Sequence, residues 1–206
     1  MAEPERPQLY LVTPPAFAPE AFADRLAAVL DAMPVACVRL ALATAAEDDL
    51  ARAADMLRAV THARDVALVI ERHLLLARRL GLDGVHLPDG ARGVRAARKE
   101  LGPDAIVGAF CGTTRHDGIN AAEAGADYVA FGPVGATPLG DGRRAGHDLF
   151  QWWSEMIEVP VVAEGALDPA LVETLAPVAD FFGIGMEIWQ EEDAAAALRR
   201  LLAPSG

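Results

Sequence analysis

Short apolar runs recur along the chain, and most are separated by segments with the hydrophobic spacing of an amphipathic helix. The runs have the length of buried strands that are apolar on both faces, which is typical of a parallel sheet covered by helices. They lie at residues 9–13, 35–42, 66–70, 84–87, 105–110, 128–131, 159–163 and 181–185. The helical segments lie at residues 20–32, 47–62, 74–80, 93–101, 117–124, 148–157, 169–175 and 193–202.

Strands and helices that alternate in this way, at intervals of roughly 25 residues, predict an α/β protein with the closed (β/α)₈ architecture of a TIM barrel. The alternative is a flavodoxin-like or Rossmann sheet. That sheet needs only about five or six strands, so it leaves apolar runs unassigned. No linker or low-complexity segment interrupts the series, and we therefore expect residues 1–206 to form a single domain.

The amino-acid composition of the chain limits the kinds of binding partner that are expected. The chain is 52% hydrophobic and 23% charged, and its net charge of −12 disfavours nucleic acid and anionic membranes as partners. Cys37 and Cys111 are too few for a disulfide framework, so both are expected to be buried small groups in a reducing compartment. The N-terminal segment "MAEPERPQLY" has no apolar core of a signal peptide. We expect a cytoplasmic protein.

Ionisable residues stand where several predicted strands end, and barrel enzymes place their chemistry at this edge. Arg39, on the inner face of the second strand, is a candidate catalytic cation or an ion-pair partner within the barrel. Glu71 and Glu164 are candidate general bases, because burial would raise the pKa of a carboxyl group; solvated loop positions are the alternative. Arg39→Ala is expected to abolish activity with little change in melting temperature. His86 in "DGVHL" is predicted to form hydrogen bonds inside the barrel.

A glycine- and proline-rich segment follows the sixth predicted strand in "GADYVAFGPVGATP", residues 125–138. Glycine at the end of a strand allows another group to approach the backbone closely. The seventh and eighth strands also end at glycines, in "AEGA" and "GIGM". The three strand ends are therefore expected to form one side of a binding site.

The segments "GLDGVHL" (81–87), "GADYVAFGPVGAT" (125–137) and "PVVAEGAL" (160–167), in this order, resemble the family of thiamine-phosphate synthase and the related thiazole tautomerase. The resemblance extends from about Gln8 to about Leu201. It implies a TIM barrel of thiamine biosynthesis. Members join a pyrimidine pyrophosphate to a thiazole phosphate and use Mg²⁺ to neutralise the departing pyrophosphate.

The resemblance also implies which residues bind ligand, and the implied partner is a small phosphorylated heterocycle. Gly132, Pro133 and Thr137 match the loop that contacts the heterocycle and its phosphate. Backbone N–H groups after the seventh and eighth strands are implied to hold the phosphate, which singles out Gly165, Gly183 and Gly185. A carboxylate at Glu164 would be unfavourable beside that phosphate unless it points away or pairs with Arg143 or Arg144.

Other positions depart from the family pattern. The two magnesium-binding aspartates fall at His73 and Ala91, so no metal ligands are assigned, although Glu71 and Asp89 stand two residues away. Charged or catalytic positions of the family fall at Leu40, Ala41, Phe110, Gly112 and Gly140. The chain is therefore predicted to be a divergent member that binds a small phosphorylated heterocycle at the C-terminal face and has lost much of the Mg²⁺–pyrophosphate site.

Three functions remain open. The chain is a working transferase with a rebuilt site, a metal-independent isomerase of a thiazole phosphate, or a catalytically inactive family member that serves as a binding or regulatory protein. Adjacent Trp152 and Trp153 on one helix point in different directions, so one ring is available for a homo-oligomer contact.

Overall fold

The computed structural model describes residues 6–138 and 142–204. Within them, eight parallel strands pair in chain order, and β1 pairs with β8 to close the barrel. The strands are β1 (Gln8–Val12), β2 (Cys37–Leu40), β3 (Ala67–Glu71), β4 (Gly84–Leu87), β5 (Ile106–Phe110), β6 (Tyr128–Phe131), β7 (Val161–Glu164) and β8 (Phe181–Ile184). The predicted (β/α)₈ barrel is confirmed.

Helices follow the strands and cover the outside of the barrel. They are α1 (Pro19–Ala32), α2 (Glu47–His62), α3 (Leu74–Leu80), α4 (Val94–Leu101), α5 (Arg115–Ala124), α6 (His147–Met156), α7 (Pro169–Leu175), α8 (Met186–Trp189) and α9 (Ala194–Leu202). Side-chain caps set where some of them begin: Thr114 accepts a hydrogen bond from Asp117 N, and Asp168 accepts one from Leu171 N. Among the described helices, none is long and apolar enough to cross a lipid bilayer.

The predicted and observed elements differ in details that matter for the site. Glu71 and Glu164 are the last residues of β3 and β7, where the sequence placed them just after the strands. The short helix α8 lies in a segment that was predicted to be a loop. Gly140, a position at which the chain departs from the family pattern, lies outside the described residues.

The barrel interior is filled by one set of side chains, while a larger apolar layer lies between strands and helices. The interior apolar set is Tyr10, Cys37, Val69, Tyr128, Ala130 and Val162. Gly108 leaves room for Tyr128, because a Cβ atom there would lie 1.9 Å from the tyrosine ring. Both cysteines are buried, as predicted, and burial raises the pKa of each thiol to about 12.

Candidate active site

Arg39 lies at the centre of the candidate site and is 6% exposed. Its Nη2 donates a hydrogen bond to Glu164 Oε1 at 3.2 Å, and its Nη1 lies 3.1 Å from Glu164 Oε2. Its Nε lies 3.8 Å from Glu71 Oε2. The barrel therefore brings all three candidate catalytic residues together from β2, β3 and β7.

The charge on Arg39 is stable in this environment. Burial disfavours the charged guanidinium, but the Glu164 carboxylate, with smaller contributions from Tyr10, Tyr128 and Glu71, outweighs that cost, so the pKa of Arg39 is raised above its ordinary value. Glu164 thus pairs with Arg39. The structure also changes the expectation for Arg39→Ala, because removing a buried guanidinium leaves the Glu164 carboxylate without its counter-charge and lowers stability.

Two buried polar atoms in this cluster form no hydrogen bond, although each lies near an opposite charge. Among the described residues, Arg39 Nε and Glu164 Oε2 are the buried side-chain atoms that have no hydrogen-bond partner. One is a donor and the other an acceptor, and they belong to side chains in direct contact. Buried groups of this kind are rare and call for a partner such as a ligand or an ordered water molecule.

Arg72 lies at the rim of the barrel, the face formed by the carboxyl ends of the strands and the loops that follow them. It was not predicted from the sequence as a residue of the site. It follows β3 with a left-handed backbone conformation, at φ 69°, which is unusual for a residue with a long side chain. Its Nε donates to Glu71 Oε1 at 3.2 Å, so the half-buried Glu71 contacts two arginines. A left-handed conformation cannot be read from an arginine in a sequence, so no signal was available for this contact.

The glycines after β6 pack against the loop after β7. The Gly132–Pro133 peptide bond is cis, and Gly135 N donates to Gly165 O at 2.9 Å. A Cβ atom on Gly132 would lie 2.4 Å from Glu164 O, and one on Gly135 would lie 1.9 Å from Ala166 O. The group that approaches these glycines is therefore the neighbouring backbone.

Two of the remaining predicted binding residues, Gly165 and Gly183, lie beside Glu164. A Cβ atom on Gly183 would lie 2.7 Å from Glu164 Cβ, so this glycine makes room for the carboxylate side chain. Gly165 follows Glu164 with φ at 90°, a conformation that favours glycine. Thr137 is half-buried in the loop after β6, beyond Gly135. Their predicted contacts with a ligand remain predictions.

Glu187 already occupies the backbone donors at the ends of β7 and β8. Its Oε2 accepts a hydrogen bond from Gly185 N at 2.7 Å, and its Oε1 accepts one from Leu167 N at 3.1 Å. The Gly185 N–H, predicted to face a ligand phosphate, therefore faces a carboxylate of the same chain. The sequence analysis missed this role, although an acidic residue in the first turn after a glycine is a usual signal for such a contact.

The two carboxylates nearest to the metal positions that the family resemblance implies, Glu71 and Asp89, have different surroundings. In the described part of the chain, no three His, Cys, Asp or Glu side chains are grouped so that they could hold a metal ion. Glu71 is directed at Arg39 and Arg72. Asp89 lines a separate pocket of about 480 Å³ beside the end of β5, together with Asp117.

A larger groove lies at the opposite end of the barrel, near the amino ends of β1, β2 and β3. It has a volume of about 920 Å³ and a mostly apolar lining that includes Leu9, Val35, Val172 and Leu202. None of the predicted site residues lines it. The carboxyl ends of the strands therefore remain the candidate active site.

These features define a class: a (β/α)₈ barrel with ionisable groups and glycine-rich loops at the carboxyl ends of its strands. The sequence profile of the family described as "Thiamine monophosphate synthase" matches residues 9–184. The thiamine-phosphate synthase of Rhodospirillum centenum is 43% identical and aligns over 92% of this chain and 93% of its own length. That of Erythrobacter litoralis is 36% identical over 95% of each chain.

The fold has a solved counterpart of the same kind. Thiamine phosphate pyrophosphorylase from Pyrococcus furiosus superposes with a TM-score of 0.78, at 24% identity, over 94% of this chain and 93% of its own. At that identity the likeness shows the fold alone. The matches to the family profile and to the curated relatives show that the chain belongs to the thiamine monophosphate synthase family, as the sequence motifs predicted.

Proposed function

We propose that this chain binds a small phosphorylated heterocycle, of the thiazole phosphate type, at the carboxyl ends of its strands. The observation that carries this proposal is the pair of unsatisfied buried atoms, Arg39 Nε and Glu164 Oε2, at the centre of the rim. The ring nitrogen of an aromatic thiazole is an acceptor for Arg39 Nε, and the same nitrogen in its protonated form is a donor for Glu164 Oε2. Such a ring therefore offers a partner to either atom, and a buried atom without a partner costs free energy.

The chemistry that this geometry supports is proton transfer without a metal. Glu164 is the more buried of the two carboxylates, at 13% side-chain exposure against 26% for Glu71. Arg39 holds the Glu164 side chain in place, and a bound ring beside it would place an exchangeable proton within reach. The metal-independent isomerisation of a thiazole phosphate fits this arrangement. The transferase activity named for the relatives is the other enzymatic proposal, and it depends on a rebuilt pyrophosphate site.

A binding or regulatory protein without catalysis is the second candidate. The observation that favours it is that the rim charges are already paired: Arg39 lies beside Glu164 and Glu71, and Glu187 accepts hydrogen bonds from backbone N–H groups. Little cationic charge is then left to stabilise a departing pyrophosphate. In this case the much-altered Mg²⁺–pyrophosphate site marks a lost activity.

The test combines binding with turnover. Thiazole phosphate is titrated into the protein by calorimetry, its isomerisation is followed by NMR, and pyrophosphate release is measured after adding the pyrimidine pyrophosphate with and without Mg²⁺. We expect binding that Glu164→Gln weakens and that Arg52→Gln, a change at an exposed arginine, leaves unchanged. Magnesium-dependent pyrophosphate release supports the transferase, and binding without turnover supports the binding protein. No binding of thiazole phosphate would contradict the proposal.

A further inference from the structure

A chain of four buried side chains crosses the inside of the barrel and ends at Arg39. Arg39 Nη1 lies 2.7 Å from His86 Nε2, and His86 Nδ1 lies 2.9 Å from the Tyr128 hydroxyl. The Tyr128 hydroxyl lies 2.6 Å from that of Tyr10. The four residues come from β2, β4, β6 and β1, so the chain exists only in the closed barrel.

The direction of each hydrogen bond follows from one fact, which is that a guanidinium group donates and does not accept. His86 Nε2 must therefore accept from Arg39 and carry no proton. The single proton of a neutral imidazole is then on Nδ1, which donates to the Tyr128 oxygen. Tyr128 is left to donate its own proton to Tyr10.

The ring orientation of His86 is fixed by the same contacts. Both nitrogens have polar partners, and turning the ring over would place carbon atoms against Arg39 and Tyr128. The other neutral tautomer would set two N–H donors against each other at the Arg39 contact. His86 is 1% exposed, and burial together with the Arg39 charge holds its pKa well below the ordinary value.

We propose that His86 is a positioning residue whose neutral, Nδ1-protonated form, fixed by the Arg39 contact, holds the Arg39 guanidinium at the candidate site, and that Tyr128 anchors the ring by accepting the hydrogen bond from Nδ1–H. The inference rests on the proposed function only where it concerns ligand binding. The tautomer itself is a property of the free protein.

The first test therefore needs no ligand. Nitrogen NMR of the histidine side chains at neutral pH, with the His86 signals assigned by their loss in His86→Gln, reports which nitrogen carries the proton. We expect Nδ1 protonated and Nε2 unprotonated. A proton on Nε2, or on both nitrogens, would overturn the inference whatever the ligand is.

The second test uses two matched tyrosine variants and the affinity for thiazole phosphate. Tyr128→Phe removes the acceptor for Nδ1–H and leaves the Arg39 contact that fixes the tautomer, so we expect the His86 ring to be held less firmly and affinity to fall about tenfold. Tyr10→Phe keeps the Tyr128 oxygen in place, so affinity and tautomer should stay close to those of the unchanged protein. Equal affinity in Tyr128→Phe and the unchanged protein would overturn the positioning role.

Failure of the proposed function and failure of the inference about His86 would give different experimental results. If the unchanged protein binds no thiazole phosphate, the proposed function fails while the nitrogen spectrum still decides the tautomer. If Tyr128→Phe does not fold, His86→Gln replaces it. A carboxamide can both accept from Arg39 and donate to Tyr128, so His86→Gln should retain more affinity than His86→Leu, and equal losses would contradict the inference.

Discussion

The two sides of the rim are built by different means. The charged half comprises the carboxyl ends of β2, β3 and β4, where Arg39, Glu71 and His86 make side-chain contacts across the barrel. The glycine half comprises the ends of β6, β7 and β8 with their loops, where Gly132 and Gly135 bring backbone against backbone. The contact between the halves is the pair of Arg39 with Glu164.

The two halves are sensitive to different kinds of substitution. Side-chain contacts among buried charges depend on every partner being present, so the charged half is sensitive to the removal of one charge. Backbone contacts at the distance seen for Gly135 leave no space for a side chain, so the glycine half is sensitive to added volume. Substitutions can therefore test the contribution of each half to stability separately.

The largest effect is expected from removing the charge that joins the halves. Arg39→Met should lower the free energy of unfolding by about 3–5 kcal/mol, because it leaves the Glu164 carboxylate buried without a counter-charge. The double variant Arg39→Met with Glu164→Met should recover much of that loss. Urea denaturation measures the free energy of unfolding of the single and the double variant. A double variant no more stable than the single one would show that the pair does not join the halves.

A smaller effect is expected from adding volume to the glycine half. Gly135→Ala would put its Cβ atom 1.9 Å from Ala166 O, and we expect a loss of about 1–3 kcal/mol as the two loops move apart. Gly146→Ala is the matched control, because its Cβ atom would meet only the end of the Asp148 side chain. Thermal unfolding measures the loss of stability in each of the two variants. Equal losses would mean that the loop contact adds little stability.

The sequence allowed the architecture to be predicted more fully than the site. The strands at 84–87 and 128–131 have the predicted bounds, because a short apolar run between turn signals is a local feature. The contact of Arg39 with Glu164 joins residues 125 positions apart and became visible only in the closed barrel. Helix α8 was missed because four residues are too few to show helical spacing.

A further prediction concerns Glu187, whose carboxylate accepts hydrogen bonds from backbone N–H groups in the glycine half. Glu187→Ala removes the acceptor for Leu167 N and Gly185 N, and we expect a loss of about 1–2 kcal/mol in unfolding free energy. The same change should raise affinity for inorganic phosphate, since a negative charge leaves the two donors. Glu192→Ala, at an exposed position, is the control. Calorimetry that showed unchanged phosphate affinity would contradict this account of Glu187.

The smallest effect concerns the acid sensitivity of the charged half. Burial and the neighbouring Arg39 lower the pKa of His86 well below 6.5, whereas the unfolded chain binds a proton on this histidine near its ordinary pKa. Since the unfolded state binds more protons there, stability should fall as the pH falls below about 6.5. His86 faces Arg39 and Tyr128 and lies in register with Glu71. In denaturation experiments at several pH values, His86→Gln should reduce the dependence of stability on pH below about 6.5. An unchanged dependence would contradict this role of His86.

A crystal structure with thiazole phosphate would show whether a phosphorylated heterocycle binds where the two halves meet. We expect electron density for the ring beside Arg39 and Glu164, with the phosphate between the loops that contain Gly165 and Gly185 and with Glu187 displaced. Density elsewhere on the molecule, or an unchanged Glu187 with no ligand at a saturating concentration, would contradict it.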